Sequence, residues 1–353
     1  MPARLIDVGG SDDNAIRLVD SFPQLRTYIT LSHCWGDADA LAGCSLTAAR
    51  LDNYRQRIPK DVLPATFLHA CQFARSLGQR HVWIDSLCIV QDSPADWAAQ
   101  SAQMWRIYSS AWLNLSATAS QAPADGLFRE RGDKALGLCI IHVEEGHPAL
   151  PAGQYRLYAD TEWKLGVDDG PVNARAWVLQ ERLLAPRVLH FGEREVFWEC
   201  RKLKAPEEEE SDEEESDGEE SDEEEDEGKN DKENVEEGAD DVENGNEEGQ
   251  DESKATVKDG GKGQDEGELD AWSAIVERYS EAKLSYPSDK LVALSALAEQ
   301  VALAYPSSGR YLAGLWEAPL ISQLPWKMRC HNNARAAHYR APSWSWACMD
   351  GPV

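Results

Sequence analysis

The chain has 353 residues, 42% of them hydrophobic, and a formal net charge of −28. Residues 207–268 contain 32 of the 63 acidic residues but only 5 of the 35 basic ones, so the rest of the chain carries a net charge of −1. A neutral folded part beside a segment that repels phosphates argues against nucleic-acid binding. The absence of a long apolar run argues against membrane spanning and secretion and predicts a cytoplasmic protein.

The acidic stretch contains no aromatic residue, and its apolar side chains are scattered Val and Ala. Such a segment cannot bury enough surface to offset the entropy lost on ordering its backbone. We therefore predict an α/β domain over residues 1–204, an acidic disordered insert over 205–268, and a C-terminal helical and β annex over 269–353 that packs on the first domain. The insert is interpreted as a solvated spacer, with a cation sink or a decoy for basic partners as alternatives.

The first predicted elements alternate between strand and helix. Residues 26–32 alternate β-forming side chains, which indicates a first strand. Residues 63–77 repeat apolar side chains at three- and four-residue spacing, which predicts a helix that Gly78 ends. Residues 81–85 form a short apolar run that is typical of a buried parallel strand.

The next elements continue this alternation. Ser93 followed by Pro94 is typical of a helix N-terminus, and the pattern predicts a helix to about Ser110. Residues 112–117 are expected to form a third strand. Strand-helix-strand order predicts right-handed crossovers and a parallel sheet covered by helices on both faces.

The remaining elements follow from the same patterns. They are a helix over 175–184, strands over 187–191 and 195–200, helices over 269–284 and 288–304, and a strand over 343–347. On that last strand Trp344 and Trp346 would share one face.

Several common kinds of site find no support in the sequence. The eight cysteines form no C-x-x-C pair, so we expect reduced, mostly buried thiols of an intracellular protein and no metal site. The pair His33-Cys34 is not expected to act as a nucleophile and base, because neighbours on a strand point to opposite faces. The P-loop pattern for nucleotide phosphates is absent from the sequence.

Polar residues follow the predicted parallel strands, where ligands bind in open α/β sheets. Because these strand ends meet at one edge, they predict a small-ligand site there. Two alternatives stay open: Asp85 could only cap its turn, and Trp35 could belong to the core. The predicted substrate-binding residues at this edge are Ser32, Trp35, Gly36, Asp85 and Ser86.

The helix over 175–184 supplies the remaining predicted site residues. Trp177 and Glu181 are four residues apart and therefore share a helix face, with Arg175 nearby. We predict that Glu181 is catalytic and that Arg175 and Trp177 bind substrate. The alternative is an ordinary amphipathic helix on which a surface Glu181 lies beside Arg182.

Three segments in this order resemble the HET (heterokaryon incompatibility) domain of filamentous fungi: LSHCWG at 31–36, HVWIDSLCIVQD at 81–92 and RAWVLQERLL at 175–184. The resemblance extends over roughly residues 1–200, with weaker similarity at 311–317 and 339–352. It implies an effector or signalling module of nonself recognition and programmed cell death. It also leads us to expect more sheet after residue 347, and hence a chain truncated at its C-terminus.

The Trp-x-x-x-Glu helix also resembles the catalytic helix of TIR-type domains, some of which cleave NAD at the nicotinamide-ribose bond. That resemblance implies a TIR-like, flavodoxin-like strand order, no cofactor, and NAD as a candidate substrate. The alternative is a non-catalytic adaptor that self-assembles. In either case we expect protein partners of a death-signalling system and a homo-oligomer, without nucleic acid or a membrane span.

Overall fold

The computed structural model describes residues 1–10, 15–22, 25, 27–37, 39–130, 139–143, 152–157, 161–201, 204–206, 262–330 and 334–353. The acidic insert predicted over 205–268 lies outside these residues from 207 to 261. The chain divides into two compact units, one of residues 1–207 with 265–353 and one of residues 208–264. The described strands all lie in the first unit.

The described strands, in chain order, are β1 (Arg4–Asp7), β2 (Arg17–Asp20), β3 (Ile29–Ser32), β4 (His81–Trp83), β5 (Leu113–Ser116), β6 (Cys139–Val143), β7 (Gly153–Leu157), β8 (Arg187–Phe191), β9 (Val196–Cys200), β10 (Lys204–Pro206), β11 (Tyr311–Leu312) and β12 (Leu315–Trp316). Eight of them form one sheet in the order β10-β9-β8-β5-β3-β4-β1-β2. The other four form two separate hairpins, β6 with β7 and β11 with β12.

The described helices are α1 (Leu51–Gln56), α2 (Ala65–Ser76), α3 (Asp85–Cys88), α4 (Pro94–Ser101), α5 (Met104–Ser109), α6 (Ala176–Leu184), α7 (Lys262–Glu281), α8 (Val292–Ala304) and α9 (Leu320–Gln323). Helices flank the sheet, which confirms the predicted α/β class. Helix α6 packs against α5 and α8.

The sequence predicted a parallel sheet, but the sheet in the structure is mixed. Its four central strands, β4, β3, β5 and β8, run parallel, whereas β1, β2, β9 and β10 pair antiparallel. Strands β1 and β2 were not predicted, because each has only two apolar residues between an arginine and an aspartate. Their pairing is stabilised by Asp7, which accepts hydrogen bonds from Arg17 and Arg80.

The predicted helix over 94–110 is two helices in the structure. Ser93 caps α4 as expected, since its Oγ accepts a hydrogen bond from the Asp96 N–H at 3.3 Å. Helix α4 ends at Ser101 and α5 begins at Met104, because the backbone at Gln103 turns to φ −107° and ψ 0°. Helix α2 is confirmed, and Gly78 follows it with a φ of +68°.

The strand predicted over 343–347 is wrong. Residues Trp346–Cys348 form a 3-10 turn, and the Ser345 hydroxyl accepts a hydrogen bond from the Ala347 N–H. This local bond offers the backbone an alternative to a strand. The two tryptophans consequently differ in environment: Trp346 is buried, whereas Trp344 is 41% exposed.

Two further boundaries differ from the prediction. Helix α7 begins at Lys262, ahead of residue 269, and α8 begins at Val292, after a 3-10 turn over Pro287–Lys290. Just before this turn, Lys283 exchanges backbone hydrogen bonds with Ala174 and Ala176. This bridge attaches the segment after the insert to the N-terminus of α6.

Candidate functional site

Glu181 lies on α6 and is only 2% exposed. Its Oε2 accepts a hydrogen bond from the Ser32 hydroxyl at 2.5 Å, and the Tyr108 hydroxyl also bonds the carboxylate. Asn114 holds Ser32 in place by donating to its Oγ at 3.1 Å. Burial raises the pKa of Glu181, and the negative charge of Asp85 adds to this, while Arg175 and the two hydroxyl bonds oppose it.

Asp85 lies where β4 ends and α3 begins, as its position after a predicted strand suggested. Its Oδ1 lies 3.0 Å from His33 Nε2 and accepts from the Ser86 N–H at 2.7 Å, while its Oδ2 accepts from Trp35 Nε1 at 2.8 Å. Burial alone would raise the pKa of Asp85, but His33, Arg175 and the Trp35 bond lower it below the ordinary value. Asp85 therefore carries a negative charge at the sheet edge.

Arg175 connects these two carboxylates. It precedes α6 with an extended backbone and donates a hydrogen bond from Nη1 to the His33 carbonyl oxygen. Its positive charge lowers the pKa of both Asp85 and Glu181. One cation is thus shared between two carboxylates.

A cavity of about 120 Å³ brings five predicted site residues together. They are Trp35, Asp85, Arg175, Trp177 and Glu181. An aromatic wall with carboxylates behind it is suited to a flat ring that carries positive charge.

Sequence reasoning missed other parts of this site. Trp97, Tyr286 and Asp289 also line the cavity, and Tyr108 bonds Glu181. Tyr286 and Asp289 lie beyond the acidic insert, so no local pattern could connect them with residues 31–36. Asn114 did carry a signal, because Asn is depleted in strands and here lies within β5.

The other predicted site residues do not line the cavity. Ser32 lies behind Glu181 and supports it, as described above. The Ser86 side chain is fully buried, and its Oγ has no hydrogen-bond partner among the described residues. Gly36 adopts φ +72°, and a Cβ there would lie 3.0 Å from Pro123 Cδ, which favours glycine for conformation and packing.

Arg182 does not pair with Glu181, contrary to the surface-helix alternative. Its Nε donates to Glu199 Oε2 at 2.5 Å and its Nη1 donates to Asp168 Oδ1 at 2.8 Å. Arg182 is itself buried. Glu181 is therefore a buried carboxylate without a direct ion pair among the described residues.

The thiol of Cys34 is not activated by its neighbour. His33 Nδ1 lies 2.9 Å from the Cys34 carbonyl oxygen, and burial raises the pKa of the thiol. Among the described residues, no group of three or more His, Cys, Asp or Glu is arranged to hold a metal ion. In the same part of the chain, no helix is both long and apolar enough to cross a membrane.

The fold and site define an α/β protein with a small aromatic cavity that contains carboxylates at the carboxyl edge of its parallel strands. Residues 28–181 match the family model described as "Heterokaryon incompatibility protein (HET)". This match confirms the family resemblance of the three sequence segments.

A curated relative shows the same similarity. It is "Heterokaryon incompatibility protein 6, OR allele" of Neurospora crassa, which is 31% identical over 131 residues. The match covers 34% of this chain and 19% of that protein. The chain therefore matches about a fifth of the length of this relative. No solved structure matches the chain significantly.

Proposed function

We propose that this HET domain protein acts in heterokaryon incompatibility, as an effector or signalling module of nonself recognition and programmed cell death. We further propose that it cleaves NAD at the nicotinamide-ribose bond, with Glu181 as the catalytic carboxylate. The observation that carries this proposal is the buried Glu181 at the wall of an aromatic cavity.

The chemistry explains why a single fixed carboxylate matters. When the C1′–N bond breaks, its electron pair goes to the nicotinamide nitrogen and leaves an oxocarbenium-like ribose. A carboxylate beside that cation stabilises it, as carboxylates do in glycosidases. Water then adds to C1′ and loses a proton, which gives ADP-ribose, nicotinamide and H⁺.

Two features of the structure support this proposal. Ser32 and Tyr108 orient the Glu181 carboxylate, so little reorganisation is needed when positive charge develops nearby. The parallel strands run in the order β4-β3-β5-β8, which is the beginning of a flavodoxin-like order. The second point is an argument by fold analogy with TIR-type domains.

The alternative is a non-catalytic adaptor that self-assembles and passes a death signal to partner proteins. The size of the cavity favours this alternative, because about 120 Å³ is below the roughly 300 Å³ at which ordinary ligand pockets begin. In this shape the cavity accommodates one ring of a dinucleotide and not the whole molecule.

One experiment distinguishes the two proposals. NAD and nicotinamide are measured over time with the purified full chain under forced oligomerisation, and cellular NAD and toxicity are followed in a fungal host. Glu181→Gln keeps the size of the side chain but removes its charge, and should slow NAD loss about 10²-fold or more. Glu193→Gln, at an exposed glutamate, is the matched control. Full toxicity with unchanged NAD in the Glu181→Gln variant would support the adaptor.

A further inference from the structure

A second, larger cavity lies in the C-terminal segment of the chain. It has a volume of about 290 Å³ and shares no lining residue with the cavity at Glu181. Its wall comes from α7, from the turn between β11 and β12, from α9 and from residues that follow α9. All of its lining residues lie outside the stretch that matches the HET family.

Three tryptophans contribute to this wall, and they are held in place. Trp272 Nε1 and Trp346 Nε1 both donate to the Gly314 carbonyl oxygen at 3.0 Å. A Cβ at Gly314 would lie 2.6 Å from Trp346 Nε1, so this packing depends on glycine. The third ring, Trp326, donates to the Trp344 carbonyl oxygen at 2.7 Å. Rigid aromatic walls favour a flat aromatic ligand, because little side-chain conformational entropy is lost on binding.

Gln323 provides an unused hydrogen-bond donor in the lining. Its Oε1 accepts from the Trp316 N–H at 2.8 Å, which fixes the orientation of the amide. Its Nε2 is buried and has no hydrogen-bond partner among the described residues. A buried donor without an acceptor is unfavourable, and an oxygen atom of a ligand would relieve this.

One lysine of the lining favours an anionic acceptor. Arg329 is neutralised by Glu277 and Glu281, each at 2.9 Å. Lys327 makes no ion pair within the described part of the chain, so its ammonium group is available to a ligand anion. A carboxylate therefore suits the donor of Gln323 and the charge of Lys327 together.

We propose that this tryptophan-lined cavity binds a small aromatic carboxylate of one or two fused rings. The rings pack among Trp272, Trp326 and Trp346, and the carboxylate accepts from Gln323 Nε2 and pairs with Lys327. The volume of the cavity lies at the lower end of the range for small-molecule pockets, which matches a ligand of this size.

Calorimetric titration of the full chain tests this proposal with three probes. They are 2-naphthoate, the neutral 2-naphthamide, and cyclohexanecarboxylate, which keeps the charge but lacks the aromatic ring. We expect 2-naphthoate to bind at least about tenfold more tightly than the other two. Equal affinities for the three probes, or no binding of 2-naphthoate up to about 5 mM, would overturn the proposal.

Two variants locate the binding. Gln323→Glu keeps an oxygen for the Trp316 N–H but replaces the donor with an acceptor, and should weaken 2-naphthoate binding about tenfold or more. Lys327→Gln should weaken it several-fold, while Lys60→Gln, at an exposed lysine elsewhere, should leave it unchanged. Thermal melts establish that each variant is folded. Unchanged affinity in a folded Gln323→Glu protein contradicts the proposal. If Gln323→Glu fails to fold, the affinity of Lys327→Gln for 2-naphthoate decides instead.

Discussion

Two clusters of charged and polar residues lie on different sides of α6. The cavity cluster contains Glu181, with Ser32, Tyr108, Asp85 and Arg175 around it. The ion-pair cluster contains Arg182, Glu199, Asp168, His190 and Arg278, in which Arg278 pairs with Asp168 at 2.8 Å. Glu181 and Arg182 are neighbours in the sequence, but successive side chains on an α-helix point about 100° apart. The two residues therefore belong to different clusters.

The pKa of a buried carboxylate is shifted in opposite directions in the two clusters. Burial alone would raise the pKa of Glu199, but its hydrogen bonds to His190 and Arg182 lower the pKa to about 2. Glu181 receives hydrogen bonds from neutral hydroxyl groups, and burial raises its pKa. The ion-pair cluster thus stabilises the fold, whereas the cavity cluster contains an undercompensated charge at a cavity wall. Such perturbed groups are typical of functional sites.

One arrangement in the ion-pair cluster resembles a hydrolytic triad. Thr118 Oγ1 lies 3.1 Å from His190 Nδ1, and His190 Nε2 lies 3.0 Å from Glu199 Oε2. However, Thr118 and His190 are fully buried and line neither of the two cavities. A substrate would have no access to the hydroxyl, so this chain of hydrogen bonds is structural.

The largest effect on stability is expected for Arg182→Met. This change removes the buried cation between Glu199 and Asp168, which still contact His190 and the partly exposed Arg278. Breaking a buried ion pair from one side costs about 3–5 kcal/mol. Chemical denaturation measures the free energy of unfolding. Arg329→Met is the matched control, since that arginine also pairs with two carboxylates but is 49% exposed, and it should cost at most about 1 kcal/mol. Equal losses in the two variants would remove the distinction between the clusters.

A smaller loss, of about 3 kcal/mol at pH 7, is expected for Glu199→Gln. The folded-state pKa of Glu199 lies near 2, below the ordinary 4.5, so its stabilising effect is present above pH 4.5 and disappears as the pH falls towards 2. The difference in unfolding free energy between wild type and variant should therefore shrink across this range. Denaturation curves between pH 2.5 and 7 measure it, and a difference independent of pH would argue against the ion pair.

Local patterns predicted the elements that bring the cavity residues together. Strands β3, β4 and β5 and helices α2 and α6 follow from apolar periodicity, and parallel strands end at one edge. Trp35, Asp85, Arg175, Trp177 and Glu181 consequently line one cavity.

The parts that the sequence did not predict depend on contacts between distant residues. The position of β1 beside β4 is stabilised by the bond of Asp7 to Arg80, and the cavity wall at Tyr286 depends on the bridge between Lys283 and the residues around Arg175. At 343–347 the alternation of tryptophans predicted a strand, but the Ser345 hydroxyl stabilised a turn instead. Neither long-range pairing nor this competition is visible in a periodic pattern.

In the cavity cluster, Tyr108→Phe should cost about 1 kcal/mol, the usual contribution of one hydrogen bond. Ser32 still donates to Glu181, so the carboxylate keeps one partner. Because the Tyr108 bond lowers the pKa of Glu181, its loss should raise that pKa further. The rate of NAD cleavage should rise with pH as Glu181 ionises, and in the variant this rise should occur at higher pH. Denaturation and pH-rate profiles measure both effects, and an unshifted profile would contradict the assigned bond.

The smallest change in stability is expected for Glu181→Gln, within about 1 kcal/mol at pH 7, because the amide removes a buried charge and retains an acceptor for one hydroxyl. Since the folded-state pKa of Glu181 lies above the ordinary 4.5, its favourable contribution is complete below pH 4.5 and is lost as the pH rises through the folded-state pKa. The unfolding free energy of the variant, relative to wild type, should therefore increase from pH 4 to pH 7. This trend is opposite in sign to that of Glu199→Gln, and the same denaturation series measures both. A loss of several kcal/mol at pH 7 would show that the charge of Glu181 supports the fold, and the case for a catalytic carboxylate would then lose its physical basis.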